Sequence, residues 1–206
     1  MMLLFRQGFG TIRPAAWASS FTRKHLAAAS AVMMLTSPSP AFSQTATPAT
    51  STPPPNAAPC SSAEYRAFDF WIGEWEVTAA GNTSPTATSR ITAQHGRCVV
   101  LEQYRTGGGY TGMSLSFYDA PRKVWHQTWM GADGTPLHIE GGLNAAGEMV
   151  LSNANWPGYV PGTPINRVTW SPNDDGSVRQ NWETSSDGGK TWSDVFDGRY
   201  VSSNPD

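Results

Sequence analysis

From residue 60 onward, apolar and polar side chains alternate along the chain, and the three-to-four spacing of an amphipathic helix is almost absent. Runs rich in β-branched and aromatic residues return about every 10 to 14 residues, separated by Gly, Pro, Asn and Asp. The pattern predicts ten strands: Ile72 to Ala80, Thr88 to His95, Cys98 to Arg105, Thr111 to Tyr118, Val124 to Met130, Leu137 to Leu143, Glu148 to Asn153, Ile165 to Ser171, Ser177 to Thr184 and Thr191 to Val201. The connectors are short and carry hairpin chemistry, such as Asp119-Ala120-Pro121-Arg122, Asp174-Asp175-Gly176 and Asp187-Gly188-Gly189. Short links favour an antiparallel, up-and-down order. An open sheet of ten strands would expose long edges, so the expectation is an all-β fold, closed as a barrel or folded over as a sandwich. Only Ser62 to Phe70 could hold a helical turn. It would be short, because Ser62 is followed three residues later by Tyr65 and not by the Glu or Gln of a full capping box. Phe68, Phe70 and Trp71 could then plug one end of a barrel.

The first 59 residues read differently. The apolar run Leu26 to Leu35 follows a basic, acid-free segment and precedes Ala41-Phe42-Ser43, with small residues at the −3 and −1 positions of a cleavage site. Ten apolar residues span about 15 Å as a helix, roughly half a bilayer core, so residues 1–43 read as a secretory signal peptide and not a permanent span. Residues 44–59 hold 5 Pro, 4 Thr and 4 Ala with no charge. Such a segment cannot bury enough surface to offset its conformational entropy, and it reads as a tether. The domain is expected over 60–201, with a short tail at 202–206.

Charge changes the picture in one respect. The chain has 14 Lys and Arg against 16 Asp and Glu, but four of the basic residues precede residue 43 and the first acid is Glu64. The remainder therefore carries a net charge of −6, which argues against a nucleic-acid partner and against an anionic membrane surface once the signal is removed.

Several segments resemble a known family. Phe68-Asp69-Phe70-Trp71-Ile72-Gly73-Glu74-Trp75, Cys98 and Glu102 in GRCVVLEQY, Trp125-x-Gln127-x-Trp129, and Arg179-Gln180-x-x-Glu183 together look like a bacterial exported family of unknown function that opens with an FDFWIGxW strand. The resemblance covers residues 60–201. It implies a calycin-like barrel, since Gly73-x-Trp75 is similar to the G-x-W signature of lipocalins and nitrobindins, and it implies no established activity. Ser185-x-Asp187-x-Gly189-x-Thr191-Trp192 matches the Asp-box hairpin of β-propellers. A single copy is expected to close the last hairpin and carries no glycosidase implication.

Two cysteines in an exported chain make a Cys60 to Cys98 bridge the default. Lipid attachment at Cys60 is disfavoured, because Asn56-Ala57-Ala58-Pro59 is not a lipobox.

Strand alternation places Trp125, Gln127 and Trp129 on one face of the fifth run, Glu102 beside Val100 and Tyr104 on the third, Arg167 with Ile165 and Thr169 on the eighth, and Gln180 with Val178 and Trp182 on the ninth. Glu102, Trp125, Gln127, Trp129, Arg167, Gln180 and Trp182 are thus the candidate ligand-binding set. The pattern fits an apolar pocket with a few convergent polar groups, for a small apolar or aromatic molecule. It also fits a filled core in which Glu102 pairs with Arg167. No catalytic constellation stands out: Gly112-Met113-Ser114-Leu115-Ser116 lacks the second Gly of a nucleophile elbow, and there is no HExxH. His95, His126 and His138 are isolated along the chain, and no His follows His138, which argues against a haem site of nitrobindin type. No cofactor is indicated. Two further readings stay open: an enzyme using Glu102 as acid or base, and a carbohydrate-binding surface around Trp156 and Tyr159.

Overall fold

Residues 58–204 are described by a computed structural model. The expected signal peptide and nearly all of the tether lie outside the described residues. Ten strands follow one another as β1 (Gly73–Ala79), β2 (Ala87–Gln94), β3 (Val99–Thr106), β4 (Thr111–Asp119), β5 (Val124–Gly131), β6 (Pro136–Leu143), β7 (Met149–Ser152), β8 (Ile165–Pro172), β9 (Val178–Ser185) and β10 (Ser193–Ser202). Each pairs antiparallel with its neighbours in sequence, and β1 pairs with β10 from Trp75↔Ser202 to Ala79↔Gly198. The sheet is therefore a closed up-and-down barrel without a free edge. All ten runs expected from the alternation are strands, and β7 is the shortest of them, at four residues.

Before β1 lie a one-turn helix, α1 (Ala63–Arg66), and a 3₁₀ turn at Asp69–Trp71. The Ser62 hydroxyl donates to the Glu64 carboxylate (2.6 Å) and caps no backbone N–H, which is consistent with the helix ending after a single turn. This segment closes one end of the barrel. Phe68 stacks on Trp71 (4.9 Å) and meets Trp125 and Trp170 edge-on (5.6 and 5.1 Å); Phe68, Trp71 and Trp170 are fully buried. Two indoles tie the plug to backbone: Trp75 Nε1 donates to the carbonyl of Trp71 (3.0 Å) and Trp125 Nε1 to that of Glu64 (3.1 Å). Cys60 and Cys98 form the expected disulfide, with Cα atoms 5.1 Å apart. It fastens the plug to the β2–β3 turn, where Arg66 also donates to the carbonyls of Cys60 and Arg97 (2.9 and 2.6 Å).

The last hairpin is closed by the Ser-Asp box. The Asp187 carboxylate accepts from the backbone N–H groups of Lys190 and Thr191 (2.9 Å each) and from the Thr191 hydroxyl (2.6 Å). Ser185 Oγ accepts from the Gly189 N–H (2.8 Å), and the Trp192 indole donates to the Gly189 carbonyl (3.1 Å). These donors hold the Asp187 carboxyl well below the usual carboxylate range, the Thr191 hydroxyl first among them.

Candidate functional site

Away from the plug the barrel is not filled. A half-open cavity of about 210 Å³ occupies the other half of the interior, walled by Tyr104, Trp129, Val168, Trp182, Phe196 and Tyr200. Its mouth lies between the β3–β4 turn, which supplies Tyr110, and the irregular start of β10, which supplies Val195 where the register shifts between Asp194 and Phe196. Two glycines make room for this wall. A Cβ on Gly112 of β4 would lie 2.3 Å from the Trp129 ring, and one on Gly131 of β5 would lie 1.9 Å from the Tyr110 hydroxyl.

Besides the phenols of Tyr104, Tyr110 and Tyr200, four polar side chains line the cavity: Glu102, Thr106, Gln127 and Gln180. Glu102 is 3% exposed, and its two carboxylate oxygens accept from Ser89 Oγ of β2 (3.0 Å) and Ser114 Oγ of β4 (2.9 Å). Burial pushes the Glu102 carboxyl from 4.5 up to about 7, because the two hydroxyl donors offset only part of the desolvation. Gln127 donates to Ser116 Oγ (3.0 Å), and the Tyr200 hydroxyl donates to Gln180 Oε1 (2.6 Å). The Tyr200 phenol is itself raised well above its ordinary value, first by burial and then by the neighbouring Glu102.

Five of the residues singled out from the sequence line this cavity: Glu102, Gln127, Trp129, Gln180 and Trp182. Trp125 points inward too but belongs to the plugged half, packed on Phe68 and Tyr118. Arg167 does not share the interior. On β8 the inward residues are Val168 and Trp170, 2% and 0% exposed, so Arg167 faces out, donates to Glu183 of β9 (2.8 Å) and lies over the Trp192 ring (3.9 Å). The expected phase of this strand is one residue off for a physical reason. Burying the Trp170 indole gains more than burying Ile165 at the strand end, and a guanidinium is costly to desolvate. The Glu102–Arg167 pair is therefore absent.

Sequence reading missed Ser89, Ser114 and Ser116, the hydroxyls that dress the cavity carboxylate and amide. A signal was present on β4, where Ser114 and Ser116 face in while Met113, Leu115 and Phe117 face out, 46%, 44% and 39% exposed. The inner face of this strand thus carries hydroxyls that partner Glu102 and Gln127 in place of apolar packing. Sequence reading also missed a cluster on the outer wall. The register sets Thr128 opposite His138, and the Thr128 hydroxyl contacts both His126 Nε2 (2.9 Å) and His138 Nδ1 (3.0 Å). His126 Nδ1 in turn meets Glu140 (3.1 Å), a carboxylate 2% exposed on which Arg122 places two donors. These donors hold Glu140 below its ordinary value, Arg122 foremost. His138 is covered by a stacked Trp156 ring at 4.5 Å. With His126 and His138 outside and His95 on the exposed β2–β3 turn, no described histidine reaches the cavity. In the 153–164 segment Trp156 and Tyr159 are both partly buried, with Trp156 stacked on His138.

No protein-family model matches this chain, and no curated protein matches it. What stands is the architecture, a closed, ten-stranded antiparallel barrel, which is consistent with the calycin-like form expected from the FDFWIGEW segment.

Proposed function

We propose that this protein is an extracytoplasmic barrel that binds a small apolar or aromatic molecule in its interior cavity. One observation carries the reading: the half-open cavity of about 210 Å³ with aromatic walls and a few polar groups, Glu102, Gln127 and Gln180 among them. Its size suits a ligand of roughly one ring, since a dry apolar cavity of about 150 Å³ already takes benzene. Because Trp129 and Trp182 line the cavity, a bound aromatic should change the tryptophan emission, and binding to the native state alone should raise the melting temperature by mass action. A panel of one- and two-ring compounds tests this; if none alters emission or melting at millimolar concentration, the reading fails. Export is supported by the Leu26 to Leu35 run and agrees with the disulfide. The mass of the mature chain tests it, the expected start being Gln44.

A second reading makes Glu102 a general acid or base. It is favoured by the placement of the carboxyl value at about 7, where the group both accepts and releases a proton near neutrality. Arg167, which would have opposed this, lies outside. Chemical conversion of a bound compound, lost in Glu102→Gln with binding retained, distinguishes catalysis from binding.

A further inference from the structure

The charged groups of the interior are unbalanced. Glu102 is the one acidic side chain lining the cavity, and no described Lys, Arg or His lines it or occupies an inward strand position. The groups facing Glu102 from the packed elements are neutral: Ser89 on β2, Ser114 on β4, Gln127 on β5, Gln180 on β9 and the phenols of Tyr104 and Tyr200 on β3 and β10. The two phenols are the titratable members, and both have their ionisation raised, first by burial and next by Glu102 itself, so neither supplies charge near neutrality. A cavity with one carboxyl, no cation and a wall of electron-rich rings is complementary to a ligand that brings the positive charge with it.

We infer that the cavity selects a small organic cation, an ammonium group on a body of about one ring, with Glu102 as its counter-ion. This deepens the binding reading and rests on it. Desolvation ordinarily opposes a buried ion pair. Here the carboxylate is already desolvated and held by Ser89 and Ser114 before any ligand arrives, so that part of the cost belongs to folding and not to binding. The ammonium exchanges water for the carboxylate, the Gln127 and Gln180 amides at the wall and the faces of Tyr104, Trp129 and Trp182. An anion meets the opposite situation, since it would lie beside a carboxyl with no donor cation to receive it. Proton balance follows from the same geometry. Where Glu102 is protonated, entry of R–NH₃⁺ breaks the carboxyl O–H bond, the proton leaves to solvent, and the resulting carboxylate accepts from the ammonium.

The test is a charge series on one scaffold with the unmodified protein: benzylamine, benzyl alcohol and benzoate, followed by titration calorimetry in two buffers of different ionisation enthalpy. At about pH 8 benzylammonium should bind at least about tenfold more tightly than benzyl alcohol, with benzoate weakest. At about pH 6 its binding should release close to one proton per site, seen as a buffer-dependent heat, whereas benzyl alcohol should release none. In Glu102→Gln the preference for the amine should collapse while the alcohol still binds. Equal binding of amine and alcohol, or an amine preference that survives Glu102→Gln, overturns the cation inference and leaves the binding reading standing. If neither compound binds and the wider aromatic panel also fails, the binding reading falls with it.

Discussion

Replacing Glu102 by Gln should remove a pH dependence from the stability of the barrel. In the unfolded chain the carboxyl titrates near 4.5, and in the folded protein near 7. Below the lower value both states hold the proton and the contribution of the group is fully present. Between the two values the folded state holds a proton that the unfolded state has lost, so stability falls as pH rises, and above 7 the whole cost of a buried carboxylate is in place. At about 1.4 kcal/mol per pH unit, the rise from 4.5 to about 7 corresponds to about 3 kcal/mol. Glu140 and Glu148 are shifted the other way, by Arg122 and by Ser171 respectively, and they contribute stability that is lost on acidification. Their effect is common to both proteins and cancels in the difference. The assay is urea unfolding of the two proteins, disulfide intact, between about pH 4 and about pH 9, with the free energies extrapolated to water. The stability of Glu102→Gln relative to the parent should rise by about 3 kcal/mol across that range, equivalent to roughly 10 °C in melting temperature. Parallel curves would refute the reasoning, because they would mean that the carboxylate is as well solvated in the barrel as in the unfolded chain.

Removing the disulfide by Cys60→Ala with Cys98→Ala, which frees a loop of 38 residues, should lower stability by about 3 to 4 kcal/mol in chemical denaturation. Gly112→Ala sets a Cβ against the Trp129 ring and should cost about 1 to 3 kcal/mol; the displaced indole should also shrink the cavity, read as weaker aromatic binding and a shifted emission maximum. Arg122→Met leaves the Glu140 carboxylate with His126 as its remaining side-chain partner and should lower the melting temperature, whereas Arg122→Met combined with Glu140→Leu should recover part of the loss.

The strands were legible because a closed antiparallel wall demands strict alternation, and the Asp- and Gly-containing links punctuate it. Phase was legible where a large aromatic sets it: Trp125 and Trp129 on β5, Tyr104 on β3 and Trp182 on β9 oriented Gln127, Glu102 and Gln180 correctly toward the interior. It failed on β8, where Ile165 and Trp170 stand on opposite parities and a sequence alone does not say which is buried. On β4 the usual hydrophobicity rule runs backwards, since Leu115 and Phe117 face out and two serines face in. The Ser89 and Ser114 contacts to Glu102, and the meeting of His126 and His138 on Thr128, depend on cross-strand register. Register is a property of the assembled sheet and is written in no single segment.

The pairing of β1 with β10 also bears on how the chain is made. Each intermediate length of a growing polypeptide carries β1 with one side unpaired, and the seam from Trp75↔Ser202 to Ala79↔Gly198 can be sewn only after residues 193–202 have been synthesised. Tyr200, one of the rings packed on Trp71, arrives with that last strand, so the plug lacks part of its own packing until then. Contacts this far apart in sequence form slowly, because a long stretch of chain must close before they bring any return. Throughout synthesis the sheet is thus an unsealed ribbon, with one edge of β1 left open. Only the pairing of β10 with β1 removes that last open edge.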